Sequence, residues 1–176
     1  MTECRVYLRA VTKRDRDEFI AAMRDAASLH KPWIVSPTSR ESFNSYLKRT
    51  ERNDHAGLLV IDRESEAIAG CINLNNIIRG TLLSATLGYY VTVPFAGRGY
   101  MREGLALAVE HAFAHLGLHR LEANIQPANR RSIRLVRRCG FVKEGVSPRF
   151  LFINGAWQDH ERWVRIDNRP SLHTVP

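Results

Sequence analysis

The pattern of apolar and polar positions switches several times between a period of two and a helical period. Residues 4–11 alternate and predict a first strand, with Val6, Leu8 and Ala10 toward one face. Thr12 stands where an N-cap would open a helix. That helix carries Phe19, Ile20, Met23, Ala26 and Ala27 at helical spacing. Lys31-Pro32-Trp33 through Pro37 breaks it. Ser39 then caps a second helix with Phe43, Tyr46, Leu47 and Thr50 as its stripe. Two strands follow near 56–62 and 67–75, joined by the polar turn Arg63–Glu66. Arg79-Gly80 makes a further turn, and 83–93 reads as a long strand ended by Pro94–Arg98. A helix is predicted over 100–116 from Leu105, Ala108, Val109, Ala112, Phe113 and Leu116, with Gly117 just past its end. Leu121–Gln126 is a short strand, and Arg130–Cys139 a helix closed by Gly140. From Phe141 to about Ile166 the chain reads as strands around Asn154-Gly155, a type I′ hairpin signal. Strands alternating with helices predict an α/β fold.

A chain of 176 residues fits one domain. At that size roughly 70% of the unfolded surface is buried, enough core to carry a cofactor cleft without staples. Cys4, Cys71 and Cys139 are odd in number and widely spaced, with no CxxC or CxxH pair. They predict free thiols and give a metal site no support. The N-terminus has no apolar h-region and no run is long enough to span a bilayer. The expected location is therefore the cytoplasm. A net charge of +8 admits nucleic acid, a membrane surface or a polyanionic cofactor as partner, and does not choose among them.

The chemistry concentrates where the long strand meets a helix, at Pro94-Phe95-Ala96-Gly97-Arg98-Gly99-Tyr100. Glycines two apart permit a tight turn and close approach of backbone to a ligand. The following helix aims free N–H groups and its positive dipole end at the same spot. Together these suit a pyrophosphate. No GK[ST] follows, so the turn is not a Walker loop, and the third glycine and downstream acid of a dinucleotide fingerprint are missing. By itself the turn is equally a tight strand-to-helix connection. A second strand–cap–helix unit stands beside it, in which Pro127 and Asn129 stop the strand, Asn129 caps the helix and Ser132 lies in its first turn.

The ordered set Gly97-Arg98-Gly99, then Asn129 to Ser132, then Cys139-Gly140-Phe141 followed by Lys143-Glu144-Gly145 resembles the GNAT N-acetyltransferases. Within that family it is similar to the RimJ/RimL group, which acetylates N-terminal amines of ribosomal proteins. His30–Trp33, Ile77–Gly80, Leu87-Gly88-Tyr89 and Leu151–His160 extend the resemblance over roughly residues 5–165. It implies a single mixed, mostly antiparallel sheet with a central parallel strand pair splayed for acetyl-CoA, and helices on both faces. The domain would run over 1–168, with 169–176 a frayed tail. Acetyl-CoA is the implied cosubstrate. Gly97, Arg98, Gly99, Tyr100, Met101 and Arg102 match the pyrophosphate loop. Val91, Thr92 and Val93 match the segment that pairs with the pantetheine arm, and Asn129 the asparagine that bonds it. Two positions depart from the family pattern. Pro94 stands where Gln or Arg is usual, and Val136 where many members carry the tyrosine that protonates the leaving thiolate.

Acetyl transfer to an amine needs a neutral amine, a donor for the developing oxyanion and a stabilised thiolate. An α-amine, with a pKa of about 7.7–8.0, is on the order of one-tenth neutral near pH 7, whereas a lysine amine at about 10.4 needs more help. A backbone N–H near Val91 is the expected oxyanion donor. Resemblance to RimL-like enzymes makes Ser132 a candidate partner of the thiolate, beside its reading as an ordinary first-turn serine. Glu103 is a candidate base, equally placed by the helix dipole. Trp33 and Tyr89 are candidate substrate contacts. Tyr89, Glu122, Asp159 and His160 are weaker catalytic candidates. Arg130, Arg134, Arg137 and Arg138 share one helix face, which solvent, the CoA 3′-phosphate or ribosomal RNA could meet. The acceptor expected is a protein N-terminal amine, such as that of a ribosomal protein. The alternatives are a polyamine or drug amine, or a non-catalytic ribosome- or RNA-associated protein with this fold.

Overall fold

Along β2 (Ala56–Asp62) consecutive side chains enter two different cores. Leu58 and Val60 join one cluster and Leu59 and Ile61 the other, so both faces of this strand are covered and it reads as an unbroken apolar run. The computed structural model describes residues 4–169. In it seven strands form one sheet in the order β1-β2-β3-β4-β5-β7-β6. The others are β1 (Val6–Ala10), β3 (Ile68–Ile78), β4 (Ser84–Val91), β5 (Arg120–Ile125), β6 (Val142–Ile153) and β7 (Ala156–Ile166). All neighbours run antiparallel except β4 and β5, the parallel pair expected at the centre.

One face carries α1 (Arg16–Asp25), the short α2 (Ala27–His30) and α3 (Arg40–Thr50). Phe19, Met23, Phe43 and Tyr46 pack there on Leu59, Ile61 and Cys71. The other face carries α4 (Tyr100–Glu110), with Leu105, Ala108 and Val109 in the larger cluster, and α5 (Arg130–Arg138), which buries Ile133 and Val136. Both predicted caps form. Thr12 and Asp15 make a reciprocal capping box ahead of α1, and Ser39 and Ser42 make another ahead of α3. Asn154 and Gly155, both at positive φ, turn the long β6–β7 hairpin as expected.

Three expectations are revised. Ala10 is exposed rather than core-facing, because β1 ends there and Val11 takes the buried place. β3 runs on to Ile78, past the predicted residue 75, with an irregular register against β4 between Asn75 and Ile78. The helix expected over 100–116 is α-helical only to Glu110. Its last turn, His111–His115, widens to a π-helix. Pro170–Pro176 of the expected tail lie outside the described residues. Among the described residues no helix is long and apolar enough to cross a membrane.

Gly104 sets how closely α4 approaches the sheet. A Cβ there would come within 2.7 and 2.8 Å of the two γ-methyls of Val60, a β-branched side chain with little freedom to move. Gly104→Ala should therefore lower stability in urea unfolding. Overpacking costs about 1–3 kcal/mol, and the alanine's helix propensity returns only about 1 kcal/mol of it.

Candidate active site

The parallel pairing of β4 with β5 covers only Ser84–Thr86 against Arg120–Glu122. Beyond those residues the strands part, and a cleft of about 90 Å³ opens between Leu87–Tyr89 and Ala123–Gln126. Trp33, Ile34, Asn129, Ser132 and His160 complete its lining. Each strand is held on its outer side instead. β4 continues its ladder with β3 to Val91, and β5 with β7 to Ile125.

At the C-terminal end of β4 the chain makes the glycine turn. Gly97 and Gly99 sit at φ +75° and +89°, where a side chain would be strained, and Gly99 is the N-cap of α4. The N–H groups of Gly97, Gly99, Tyr100 and Met101 have no backbone acceptor among the described residues. The carbonyl of Gly99 is already taken by the N–H groups of Arg102 and Glu103. The turn is thus a concave set of donors at a helix N-terminus, a fit for a diphosphate. The side chains of Tyr100 and Met101 are buried, so these residues have only backbone to offer. Arg98 turns its guanidinium back onto the Pro94 carbonyl at 3.0 Å.

Asn129 caps α5, its Oδ1 accepting the Ser132 N–H at 3.2 Å and its amide N–H groups remaining available. The Ser132 hydroxyl is hydrogen-bonded to the phenol of Tyr89, across from it on β4. Burial pushes the Tyr89 pKa up to about 12, against the pull of the Ser132 contact, so the phenol keeps its proton throughout the neutral range. Val136, where sequence comparison looks for a tyrosine, is fully buried. A phenol nonetheless reaches the cleft, from β4 rather than α5. His160 is buried, and its Nδ1 lies 2.9 Å from the Gln158 carbonyl. A carbonyl only accepts, so Nδ1 is the donor in this contact, and Nε2 makes no hydrogen bond among the described residues. The two buried side-chain atoms without a partner among the described residues, Asn124 Oδ1 and Gln126 Nε2, both belong to cleft residues. Each is a polar group that a ligand would satisfy.

The structure thus brings Trp33, Tyr89, Asn129 and Ser132 into one cleft, and the glycine turn follows the end of β4 without lining it. It does not bring Glu103 there. That carboxylate accepts the Arg5 N–H at 2.8 Å and pairs with the Arg5 guanidinium, tying α4 to the start of β1. Partial burial raises its pKa, but the Arg5 bonds outweigh this and hold it below its usual range. Thr92 is committed as well. Its N–H and hydroxyl donate to Ala69 and Ile68, and its carbonyl accepts from Phe95. Val93 is half exposed. Glu122 is paired with Arg120, and Asp159 accepts the Arg149 N–H. Sequence reasoning missed the role of His30. Its Nε2 donates to the Val91 carbonyl at 2.9 Å, while Nδ1 meets Ser36 Oγ at 3.2 Å, which pins the end of β4 beside the gap. Only its position just before the Pro32 break hinted at it.

A parallel strand pair opened into a cleft, followed by a glycine turn with unpaired N–H groups at a helix N-terminus, fits an acyl-CoA-handling α/β enzyme. The acetyltransferase (GNAT) domain family matches residues 5–142, and the chain belongs to this family. It is an N-acetyltransferase that uses acetyl-CoA. It is 35% identical over 122 residues to the probable N-acetyltransferase YjcK of Bacillus subtilis, covering 69% of this chain and 67% of that protein. It is 37% identical to the [ribosomal protein uS5]-alanine N-acetyltransferase of Escherichia coli, over 57% of this chain and about half, 52%, of that enzyme. It is 29% identical to the spermidine N(1)-acetyltransferase of Vibrio cholerae, over 92% and 93% of the two chains. Among solved structures, Mycobacterium smegmatis RimJ in complex with CoA-disulfide superposes with a TM-score of 0.85 at 25% identity, covering 94% of this chain and 85% of that one.

Gly99→Val should abolish acetyl-CoA binding by calorimetry while the circular dichroism spectrum stays native. Retained binding would place the diphosphate elsewhere. Burial holds the His30 pKa below its ordinary value, against the opposing Val91 contact. An unfolded histidine takes up its proton near about pH 6.5 and the folded one only lower, so stability must fall as pH drops below that point. His30→Gln should flatten this part of the pH–stability curve measured by urea unfolding.

Proposed function

We propose that the acceptor is the α-amine of a protein N-terminus, with a ribosomal protein as the substrate class. The observation that carries this reading is the chemistry of the cleft wall. Its lining residues include hydroxyls, amides, a histidine and aromatics, but no carboxylate. A polyamine bound there would leave its further ammonium groups without counter-ions, which burial makes costly. A peptide brings one amine followed by amide groups, matching the unpartnered Asn124 Oδ1 and Gln126 Nε2. The E. coli relative named for ribosomal protein uS5 and the RimJ neighbour support the same reading. The V. cholerae relative named for spermidine supports the polyamine alternative.

Acetyl-CoA supplies the acetyl group as an activated thioester. The N–H groups of Gly97, Gly99, Tyr100 and Met101 hold its diphosphate. The amide of Asn129 and the inner edge of β4, short of the Val91 carbonyl that His30 already holds, hold its arm. His160 Nε2 takes a proton from the attacking nitrogen. An α-amine already neutral in on the order of one molecule in ten at pH 7 needs only this weak base. The Ser132 hydroxyl donates to the departing sulfur and is in turn supported by the Tyr89 O–H. The first turn of α5 adds its positive end to that spot. One proton is taken from nitrogen and one is given to sulfur, and exchange with solvent resets His160 and the hydroxyl pair.

Three substrates separate the readings: a peptide with N-terminal Ala or Ser, a lysine peptide with a blocked terminus, and spermidine. Release of free CoA with the first alone is expected. Turnover confined to spermidine overturns the acceptor assignment. Ser132→Ala, Tyr89→Phe and His160→Gln should each lower kcat by about 10²-fold with little change in the KM for acetyl-CoA, as expected for loss of a positioned proton carrier.

A further inference from the structure

We infer that the outer face of α5 is a docking surface for the phosphate backbone of RNA. Arg130, Arg131, Arg134, Arg137 and Arg138 are all exposed, and none pairs with a carboxylate among the described residues. At about 100° per residue the five fall within an arc of about 120°, along a helix about 12 Å long. Of the other 21 Lys and Arg residues eight pair with a carboxylate among the described residues, including Arg5 with Glu103, Arg9 with Asp15, Arg120 with Glu122 and Glu144, and Lys143 with Glu161. From Ala123 to Lys143 the chain holds six Lys and Arg residues and no Asp or Glu. The positive surface continues past the end of the helix. The Arg165 guanidinium caps the Cys139 carbonyl, and the Cys139 thiol lies 3.7 Å from the carbonyl of the exposed Arg102.

Such a stripe is costly through self-repulsion unless a polyanion meets it. One phosphate group of a cofactor occupies one end of it at most. The apolar residues of α5 are turned inward, with Ile133 and Val136 buried, so the helix has nothing to insert into a lipid layer. A regular chain of phosphates matches the stripe in sign and extent. The choice of RNA rests on the proposed acceptor, a protein that is bound to RNA in its mature setting. α5 also supplies Ser132 at its first turn, so an RNA seated on its outer face would hold a neighbouring N-terminus close to the cleft.

The test needs no acetyl acceptor, so its outcome is independent of the substrate assay. Binding of a labelled mixed-sequence RNA to the full chain is followed by fluorescence anisotropy over a salt series. The triple variant Arg134→Gln/Arg137→Gln/Arg138→Gln and its charge-preserving Arg→Lys counterpart are measured alongside. The wild type should bind with a steep salt dependence. The Gln variant should show a log–log slope shallower by about 2, at about 0.7 for each phosphate no longer neutralised, and affinity lower by roughly tenfold or more. The Lys variant should keep the wild-type slope, and the KM for acetyl-CoA should stay unchanged in both. Absence of RNA binding by the wild type overturns the inference. So does a Gln variant that binds RNA as well as wild type, or one in which the KM for acetyl-CoA rises while RNA affinity holds. A shallower slope in the Lys variant would make the effect structural and equally overturn it, as would arginine-dependent binding to anionic phospholipid vesicles that matches binding to RNA.

Discussion

The site depends on a parallel strand pairing that stops after three residues on each side. Past Thr86 and Glu122 the inner edges of β4 and β5 no longer bond to each other, and their N–H and C=O groups face a shared gap. Unpaired backbone of this kind is tolerated only where something else pairs with it. Two antiparallel ladders hold the gap open, β3 on one side and β7 on the other. His30 then fixes the far end of β4 through the Val91 carbonyl. A ligand arm bearing amides is the natural third strand. The same parting of strands explains why side chains distant in sequence, from Trp33 to His160, line a single cleft.

Everything else is placed relative to that gap by helix termini. α4 and α5 each begin at the C-terminal end of one of the two parted strands, so both positive helix ends lie near the opening. The two ends are specialised differently. Gly99 leaves the start of α4 bare of side-chain caps, with N–H groups free for an anion. Asn129 closes the start of α5, committing its carbonyl oxygen to the Ser132 N–H and fixing the hydroxyl opposite Tyr89. One terminus keeps its donors free and the other spends one on a side-chain cap.

Local patterning made most of the elements legible. Thr12, Ser39, Gly117, Gly140 and Asn154-Gly155 punctuate the chain where their backbone chemistry requires, and the structure follows them. The glycine turn and the Asn129–Ser132 cap were readable for the same reason, since each is a contiguous signal. Contacts between distant segments were not. Glu103 looks like a base in a one-dimensional reading, because its partner Arg5 is almost a hundred residues away. Tyr89 is a candidate in the sequence, but its pairing with Ser132 is visible only once α5 is brought across from it. Thr92 lies in the segment expected to meet the cofactor, yet a buried hydroxyl must be satisfied, and β3 satisfies it. The π-turn at His111–His115 also escaped, since a helical stripe does not distinguish one extra residue per turn.

The distribution of charge separates the two halves of the reaction. Carboxylates and guanidiniums pair with one another around β1, β5 and β6, where they tie elements together. The cleft wall is left without carboxylate, and the outer face of α5 is left with arginine alone. The proposed acceptor follows from this distribution, since the cleft lining offers a polycation no counter-ion. Under the proposed reading, a single peptide amine meets no such obstacle, because the fraction that reacts enters uncharged and gives up its proton only as the amide bond forms. The same wall presents the hydroxyls of Tyr89 and of Ser132, the latter at the first turn of α5, as the donors that the proposed mechanism turns toward the leaving sulfur. On the proposed reading, the carboxylate-free wall that offers a polyamine no counter-ion also leaves the departing sulfur without a negative neighbour.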